Sequence, residues 1–523
     1  MFPTPMTGAH KRSPAMLLSL FLMIGLTSLY YFHSSISQHH KSGRILAELH
    51  ELVAEFPSSD VKITDFATMA SRAAVLAKVA ELYVKNHALS RDLLRESVVR
   101  VFPWWNKQKL AYIPWEHDPA MDKIRTNETG IVVCVGDGNV KEALFLITNL
   151  RNVLGSQLPI EIAYAGDKDL SPHTRTFIYA TGKNIHFLDL TKVFDNTLLG
   201  LSGWAIKPFA LIASRFPRTI LVDADVVFFS SPETAWDDYP GPAGPGVLLF
   251  HDRAVTMDNP RNKRQNFVAE QLSQLGRQPS THLSHSSLFY WGFVGEEADS
   301  GVVFFDKSRP QLYITALFAA WMNIEDIRSE VTWDIFLGDK ETYWLAAELL
   351  GVPYAFEPWQ AGRLAEYLSE PLAKEFNTER LCSPHMVHAT ADGKDPFWAN
   401  WGIWQRKDDT TLGFANWTHW YLGARIDKAI GALNSSHDAF VEPTSSGNET
   451  LELRRAEHKE RVLATQPSWH WRDWEKDSAG CPQPDESRWK PLSSEIADVL
   501  HAIVEEAHTI NYAWERMKRE LNH

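Results

Sequence analysis

Short apolar runs alternate with amphipathic stretches in the middle of the chain. The apolar runs are rich in Ile, Val, Leu and Phe and occupy residues 131–135, 159–165, 184–190 and 219–229. Apolar residues at helical spacing occupy residues 141–154, 172–180 and 204–216. Short apolar runs bounded by turn residues predict buried strands, and the stretches between them predict helices. The alternation predicts an α/β fold with a parallel or mixed sheet, whose ligands bind at the carboxyl ends of the strands.

The pattern outside this region predicts three further parts. Residues 301–306 read as another strand, followed by helices at 311–322 and 341–350. Residues 232–300 begin with a cluster of Pro and Gly and predict a long irregular loop over the ligand-binding face. The segments before residue 126 and after residue 425 show helical patterns and few other signals.

An uncharged apolar segment near the N-terminus predicts a membrane anchor. Residues 15–32 carry no charge and follow Lys11 and Arg12. This length can cross a bilayer, and the basic flank is expected to stay in the cytoplasm. A cleaved signal peptide is the alternative, but the aromatic residues 30–32 favour an uncleaved anchor at the membrane interface.

The resulting organisation has five parts. They are a cytoplasmic tail (1–13), a transmembrane signal anchor (14–32), a lumenal helical stem (33–125), a catalytic domain (126–425) and a C-terminal helical extension (426–523). Four Asn-x-Ser/Thr sites, at Asn127, Asn416, Asn434 and Asn448, agree with a lumenal location. Cys382 and Cys481 could pair there, although the sequence does not establish the pairing.

Composition excludes several classes of protein. The chain has 523 residues, of which 44% are hydrophobic, so it can bury a large core. Its formal net charge of −13 argues against nucleic acid as a partner, because phosphates call for a basic surface. Three cysteines are too few for a disulfide scaffold.

Two carboxylates, Asp223 and Asp225, interrupt the apolar run at 219–229. Unpaired charge is costly in a buried strand, so both are expected at the strand's exit, where a cation can compensate them. A hard divalent ion such as Mg²⁺ or Mn²⁺, held by one or two carboxylates and by substrate phosphates, would do so. This is the Asp-x-Asp signal of sugar-nucleotide glycosyltransferases. A strand-end turn with solvated carboxylates is the alternative.

Several motifs, in order, resemble the fungal Golgi α-1,3-mannosyltransferases (glycosyltransferase family 71), which are single-anchor type II membrane proteins. The similarity covers residues 130–405. Its motifs are 207–211, 223–225 followed by Pro232, 299–303, 338–344, and His388 followed by Gly393 and Lys394. The resemblance implies the GT-A fold of metal-dependent nucleotide-sugar transferases, in the lumen of the Golgi apparatus.

The resemblance also implies a metal site. Asp223 would contact the ribose or the metal, Asp225 would bind the metal directly, and His388 would be the third protein ligand. Imidazole favours Mn²⁺ over Mg²⁺. His385 competes with His388, but on a strand the two side chains would face opposite sides.

Other residues are candidates for binding and catalysis. Asp339 is the first choice for the carboxylate beside the reacting sugar and Asp299 the second; either could instead cap a helix. Gly136, at the end of the first strand, permits close approach of a nucleotide, or forms a plain turn. Lys207 and Lys394 could face the nucleotide and its diphosphate, or be solvated.

Aromatic residues follow Lys394 closely. Trp398, Trp401 and Trp404 could stack on the acceptor sugar, Trp398 being the residue selected, although large aromatics most often belong to the core.

The expected reaction transfers mannose from GDP-mannose to a mannose of an N- or O-linked glycoprotein glycan, with the α configuration retained. Metal charge would stabilise the leaving diphosphate. A front-face displacement suits a sequence with no evident nucleophile, and a double displacement through Asp339 stays open. An α-1,2-mannosyl or α-galactosyl activity is the closest alternative.

Two readings from other classes remain. An Asp-x-Asp-x-Thr phosphohydrolase would need Thr or Ser where Val227 stands, which counts against it. A silent anchored scaffold in a complex with other Golgi transferases is disfavoured by the intact Asp223, Asp225 and His388.

Overall fold

The structure is a computed structural model. It describes residues 43–56 except 46, 61–86, 91–105, 129–423 with gaps at 240–243, 254, 257–262, 291, 293, 368–380, 383–384 and 408, and then 425–426, 469–470 and 489–521.

Sixteen strands occur in the described residues. They are β1 Thr129–Cys134, β2 Ile160–Tyr164, β3 Ile185–Asp189, β4 Arg218–Val222, β5 Val227–Phe228, β6 Val247–His251, β7 Val255–Thr256, β8 Ala298–Asp306, β9 Ala355–Phe356, β10 Gly362–Tyr367, β11 Leu381–Cys382, β12 Met386–Ala389, β13 Pro396–Ala399, β14 His419–Tyr421, β15 Trp469–His470 and β16 Lys490–Pro491.

Ten α-helices of five residues or more occur in the same residues. They are α1 Phe66–Asn86, α2 Arg91–Val101, α3 Val140–Thr148, α4 Pro172–Thr181, α5 Ile206–Ala213, α6 Lys263–Gln274, α7 Thr281–His285, α8 Pro310–Trp321, α9 Thr342–Leu350 and α10 Ser494–Leu521. Residues 47–55 are also helical.

The shorter helical turns are Leu190–Val193, Asn196–Leu199, Gly203–Ala205, Pro232–Thr234, Ala235–Asp238, Glu325–Ile327, Trp333–Ile335 and Thr410–Leu412. Asn149–Val153 and Arg328–Thr332 are wider π-helical turns.

A mixed sheet of seven strands forms the centre, in the order β3-β2-β1-β4-β8-β6-β9. The half from β3 to β4 is parallel, and β8 runs antiparallel to both β4 and β6. Successive residues of β1 pack into different cores: Val132 and Cys134 on one face, Ile131 and Val133 on the other. Both faces of the strand are therefore buried, which explains why its sequence is apolar throughout.

A second, antiparallel sheet runs in the order β16-β14-β10-β12-β13-β5, with β11 beside β10. β4 and β5 belong to different sheets, although they are separated by only four residues, 223–226. The Asp-x-Asp segment is thus the crossing between the two sheets, which places both carboxylates at the exit of a strand as the sequence predicts.

The long loop predicted for residues 232–300 is wrong. This segment contains β6, α6 and α7, and β6 lies inside the central sheet between β8 and β9. Its sequence Val-Leu-Leu-Phe-His is an apolar run of strand length, and all five residues are buried. The Pro and Gly cluster before it obscured this signal.

The helices of the segment predicted as a stem pack on the catalytic unit. Phe66 of α1 is fully buried and makes edge-on ring contacts with Phe267, Phe318 and Trp321, at centroid distances of 5.1, 6.5 and 5.1 Å. Trp104 contacts Phe209 of α5 at 5.3 Å. These residues share one continuous core with the central sheet, and the boundary at residue 125 stays a prediction.

Phe66→Ala should therefore destabilise the catalytic unit and not only the first helix. Loss of a fully buried Phe costs about 3–5 kcal/mol through lost transfer energy and the cavity left behind. Equilibrium denaturation of the full-length protein, followed with donor binding, would measure this. Parent-like stability, or loss of helix α1 without loss of donor binding, would contradict it. Exposed Tyr512→Ala in α10 is a matched aromatic control.

The last helix, α10, packs on α3. Its buried residues recur at intervals of three or four, which is the helical period of an amphipathic face. They are Ile496, Leu500, Ile503, Ala507, Ile510 and Trp514.

Several predictions lie outside the described residues. Among the helices of the described chain, none combines the length and apolarity needed to cross a bilayer. The cytoplasmic tail, the anchor, three of the glycosylation sites (Asn127, Asn434 and Asn448) and Cys481 fall in segments that the structure does not describe.

Candidate active site

The two carboxylates Asp223 and Asp225 lie just beyond β4. The amide of Asp223 donates to the carbonyl of Gly301 in β8 (2.8 Å), and the amide of Val226 donates back to the carbonyl of Asp223 (3.2 Å). This turn ends the strand. The side chains of Asp223 and Asp225 remain 27% and 17% exposed, so both carboxylates reach solvent at the carboxyl edge of the parallel half.

Lys207 lies beneath them, buried at the start of α5. Its ammonium donates to Asp223 Oδ1 (2.8 Å), to the carbonyl (2.9 Å) and hydroxyl (2.8 Å) of Ser300, and lies 3.5 Å from Asp339 Oδ2. Burial alone would lower the pKa of Lys207, but the charges of Asp223 and Asp339 outweigh it and raise that pKa. Lys207 thus compensates the charges of Asp223 and Asp339. Its contact with a nucleotide stays a prediction.

Asp339 is almost completely buried just before α9. Besides Lys207, its Oδ2 accepts a hydrogen bond from the Tyr343 hydroxyl (2.8 Å). Glu341, not Asp339, occupies the N-cap position of this helix. The capping alternative therefore does not describe Asp339, whose carboxylate belongs to the cluster around Lys207.

Asp299 lies within β8, where it is buried on the same edge of the sheet. Its carboxylate accepts from Asn400 Nδ2 (3.0 and 3.2 Å) and lies 3.2 Å from His388 Nε2. A Cβ on Gly301 would lie 2.9 Å from Asn400 Nδ2. Glycine at this position therefore lets Asn400 approach the strand and reach Asp299.

His388 lies in β12, buried between two carboxylates. Its Nδ1 is 2.5 Å from Glu357 Oε1 and its Nε2 faces Asp299. Burial alone would lower the pKa of His388, but the attraction of Glu357 and the hydrogen bonds to both carboxylates raise it to about 9. In this arrangement the ring is an imidazolium that binds Asp299 to Glu357.

His385 faces a different part of the fold. Its Nε2 is 2.9 Å from the carbonyl of Trp404, and its Nδ1 accepts from the indole of Trp417 (3.3 Å). Burial lowers its pKa to about 4 against the opposing hydrogen bond to Trp404. Of the two histidines, His388 is therefore the one at the carboxylate cluster.

The cluster carries more negative than positive charge. Lys407 is half exposed and pairs with Asp225 Oδ2. Burial raises the pKa of Asp223 to about 7, although the charge of Lys207 opposes this shift. Asp223, Asp225, Asp339, Asp299 and Glu357 face the cations of Lys207, Lys407 and His388.

A divalent cation fits this surplus of carboxylate, because Asp223 and Asp225 are hard oxygen donors at the solvent edge. Within the described residues, no three His, Cys, Asp or Glu side chains are already gathered as a metal site. His388 would first have to leave Asp299, so its place among the ligands stays a prediction.

Three other residues predicted from the sequence to bind substrate are Gly136, Lys394 and Trp398. Gly136 lies two residues beyond the end of β1, and its amide donates to Asn139 Oδ1 (2.8 Å). Lys394 is 78% exposed and pairs with Asp392 (2.6 Å) on the turn after β12. Trp398 is fully buried and stacks on His388 at 4.1 Å. Trp398 therefore supports the imidazole from the core, and its contact with an acceptor stays a prediction.

Sequence reasoning missed four residues that the structure brings to the cluster: Glu357, Asn400, Tyr343 and Lys407. Tyr343 was visible only as part of the 338–344 motif. Glu357 and Asn400 follow or flank short strands with no pattern of their own, and Lys407 lies in a loop. Their roles depend on strand pairing between distant segments, which no local signal contains.

Comparison with known proteins gives one family. The profile of a family described as "Mannosyltransferase putative" matches residues 128–390, which is half of the chain and contains the five carboxylates of the cluster. "Putative alpha-1,3-mannosyltransferase MNN14" of Candida albicans is 26% identical over 309 residues, covering 54% of this chain and 43% of the relative. "Alpha-1,3-mannosyltransferase MNT2" of Saccharomyces cerevisiae is 23% identical over 306 residues, covering 53% and 52%. The chain spans about half, or less, of the length of these relatives.

Solved structures give weaker likenesses. The galactosyltransferase LgtC, in complex with donor and acceptor sugar analogues, is 13% identical with a TM-score of 0.28, covering 44% of this chain and 73% of that one. Core-mannan synthase A (CmsA/Ktr4) from Aspergillus fumigatus, in a Mn/GDP form, is 10% identical with a TM-score of 0.29, covering 48% and 76%. Scores this low carry no argument about the fold.

The family match thus rests on the sequence from β1 to β12, the region that contains the whole central sheet and the five carboxylates of the cluster. The chain belongs to the mannosyltransferase family whose profile it matches.

Proposed function

We propose that the protein is a metal-dependent retaining glycosyltransferase of the GT-A type that moves mannose from GDP-mannose to mannose residues of glycoprotein glycans, in an α-1,3 linkage. One observation carries this proposal: Asp223, Asp339 and Ser300 converge on one buried lysine at the carboxyl edge of the sheet, with Asp225 beside them. Family membership supports mannose as the transferred sugar, and the names of the relatives support the α-1,3 linkage.

Asp223 and Asp225, with His388 after its release from Asp299, would hold Mn²⁺ or Mg²⁺. A bound ion of this kind supplies positive charge to the leaving diphosphate of the donor. Lys407 pairs with Asp225, which is also a proposed ligand of the ion, and its side chain is half exposed. Its charge and exposure suit a second contact to the phosphates. Lys394 is the other candidate for that contact.

Asp339 and Asp299 are proposed to orient the reacting sugars. Both carboxylates are buried and held by fixed partners, Tyr343 and Lys207 on one and Asn400 on the other. Such preorganisation lowers the barrier because the groups need not reorganise during the reaction. We favour a front-face reaction, in which the leaving phosphate takes the acceptor proton, over a double displacement, because the carboxylate of Asp339 is already engaged by two donors.

The predicted anchor and the family together support a single-pass type II protein of the Golgi membrane with a lumenal catalytic domain. Association with other Golgi transferases there is a further proposal.

Donor preference tests the proposed function directly. The purified full-length protein is incubated with Mn²⁺, a mannobiose acceptor, and either GDP-mannose or UDP-galactose. Transfer from GDP-mannose that chelator abolishes and Mn²⁺ restores is expected. Transfer from UDP-galactose alone would replace the donor in the proposal, and full activity in excess chelator would remove the metal.

Manganese titration at two pH values tests the choice of histidine. A coordinating imidazole must be neutral, whereas the pKa of His388 is raised to about 9 without metal, so Mn²⁺ must displace a proton. Apparent Mn²⁺ affinity should therefore fall as pH is lowered from 9 towards 7, by up to about tenfold per pH unit. His388→Asn should raise the Mn²⁺ requirement and flatten this dependence.

His385→Asn is the matched control, since His385 is equally buried but contacts Trp404 and Trp417. It should keep the Mn²⁺ requirement and the slope of the parent. A larger defect in this control, or equal behaviour of the two variants, would refute the assignment of His388.

A further inference from the structure

Trp401 has an unusual backbone for a bulky residue. Its φ is +87°, in the region that favours glycine, and Gly402 follows at φ +80°. A non-glycine residue held there is strained, and such strain persists only where the surroundings impose it. A glycine would remove the strain, so the indole at this position calls for an explanation.

The flanking residues fix Trp401 at the carboxylate cluster. Before it, the Asn400 side chain donates to Asp299, and the Asn400 amide donates to the Met386 carbonyl (3.0 Å). After it, the Gly402 amide donates to the carbonyl of Asp225 (2.7 Å). The indole is therefore carried between a candidate catalytic carboxylate and a candidate metal ligand.

One cation from another segment faces the indole, and it belongs to a series of ion pairs. The guanidinium of Arg253, just after β6, lies 5.4 Å from its ring centroid, and Arg253 Nε lies 3.5 Å from Asp252 Oδ1. Asp252 in turn pairs with Lys340 at 2.5 Å, and Lys340 directly follows Asp339 in the sequence. These contacts link the ring, through Arg253 and Asp252, to the residue that follows the candidate catalytic Asp339 in the sequence.

Trp401 is more exposed than Trp398 and Trp404. Trp398 and Trp404 are buried, the first on His388 and the second on Phe414 at 4.4 Å, whereas Trp401 is only partly buried. An aromatic face flanked by charged hydrogen-bonding groups is the chemistry that a pyranose needs, because its C–H face packs on the ring and its hydroxyls bind the charges.

The topology favours the acceptor over the nucleotide. The nucleotide is expected at the carboxyl ends of the parallel strands, on the β1 side of Asp223. Arg253 follows β6, which lies beyond β8 on the opposite side of that carboxylate. The ring therefore lies across the reaction centre from the expected nucleotide.

We propose that Trp401, backed by Arg253 and the Asp252–Lys340 pair, forms the subsite for the acceptor saccharide; this inference rests on the proposed function. The backbone strain at Trp401 is retained because it holds the ring beside the reacting carboxylates.

Substitutions at Trp401 separate binding from folding. Trp401→Gly removes both the ring and the strain, so thermal stability should equal or exceed that of the parent, while the KM for a mannobiose acceptor rises about 10- to 100-fold. The KM for GDP-mannose should stay within about twofold of the parent value. Trp401→Tyr, which keeps a ring, should retain acceptor KM within a few-fold, whereas Trp401→Leu should resemble the glycine variant.

Other results would overturn the proposal. A glycine variant that fails to fold would make Trp401 a structural anchor, and a changed KM for GDP-mannose with an unchanged acceptor KM would assign the ring to the nucleotide. Direct binding of mannobiose without donor, measured by saturation-transfer NMR on parent and Leu variant, separates this inference from the proposed function. If mannobiose binding depends on the ring but the protein is inactive with GDP-mannose, only the proposed function is refuted. If the protein is active but mannobiose binding does not depend on the ring, only this inference is refuted.

Discussion

Asp225→Asn is expected to lower the rate of transfer from GDP-mannose by about 10³-fold at Mn²⁺ concentrations that support activity of the parent. This loss corresponds to about 4 kcal/mol of transition-state stabilisation. Asn keeps the shape of the side chain but removes a negative oxygen from the solvent edge of the cluster. Metal-dependent binding of GDP should weaken together with turnover, because the diphosphate and the ion hold one another at this edge. Calorimetric titration with GDP and Mn²⁺, beside initial rates, would measure both effects.

Asp339→Asn is the matched comparison for this prediction. Asp339 lies behind Asp223, on Lys207 and Tyr343, and it is nearly inaccessible to solvent. Its substitution should leave Mn²⁺-dependent GDP binding near that of the parent and lower turnover alone. If both variants bound GDP like the parent, or if both lost it equally, the proposed division between metal ligand and reaction-centre carboxylate would be wrong.

The α/β architecture and the edge that carries the site follow from local patterns. The apolar runs that become β1, β2 and β4 are buried on both faces, so their hydrophobicity reports their position directly, whereas the edge strand β3 is mostly half-buried. The carboxylate pair marks the exit of β4 because unpaired charge is costly inside such a strand. By contrast, β6 was missed although its first four residues are equally apolar, since the Pro- and Gly-rich segment before it suggested a loop.

The partners of the site residues could not be predicted from local patterns. Glu357 reaches His388 only because the segments that carry them, distant in sequence, meet in the fold, and Lys207 reaches Ser300 across 93 positions of sequence. The sequence selects Lys207 and Trp398 as substrate contacts; in the structure both are buried against other site residues, and their contact with substrate stays a prediction. Solvent exposure, which decides such roles, is a property of the packed fold.

Lys207→Met is expected to destabilise the protein by about 3–5 kcal/mol and to abolish transfer. The substitution leaves the carboxylates of Asp223 and Asp339 without the buried charge that compensates them, and uncompensated buried charge is far more costly than loss of an ordinary contact. Denaturant unfolding and initial rates of the full-length protein measure the two effects.

Lys307→Met is the control for this prediction, since Lys307 is also fully buried and follows the other end of β8. Its ammonium donates to the carbonyls of Leu211 (2.7 Å) and Ser214, and burial lowers its pKa to about 7. Removal of such hydrogen bonds to neutral groups costs about 1–3 kcal/mol, and transfer should be retained. Equal destabilisation by the two substitutions would mean that burial, not charge compensation, sets the role of Lys207.

A double substitution separates the two contributions of Lys207. Adding Asp339→Asn to Lys207→Met removes one of the two uncompensated carboxylate charges. The double variant should therefore be more stable than the single Lys207→Met variant, with a coupling energy of about 0.5–3 kcal/mol between the two substitutions. Transfer should not return, because both Lys207 and the reaction-centre carboxylate are gone. Strict additivity of the two stability losses would show that Lys207 and Asp339, 3.5 Å apart, do not compensate one another's charge.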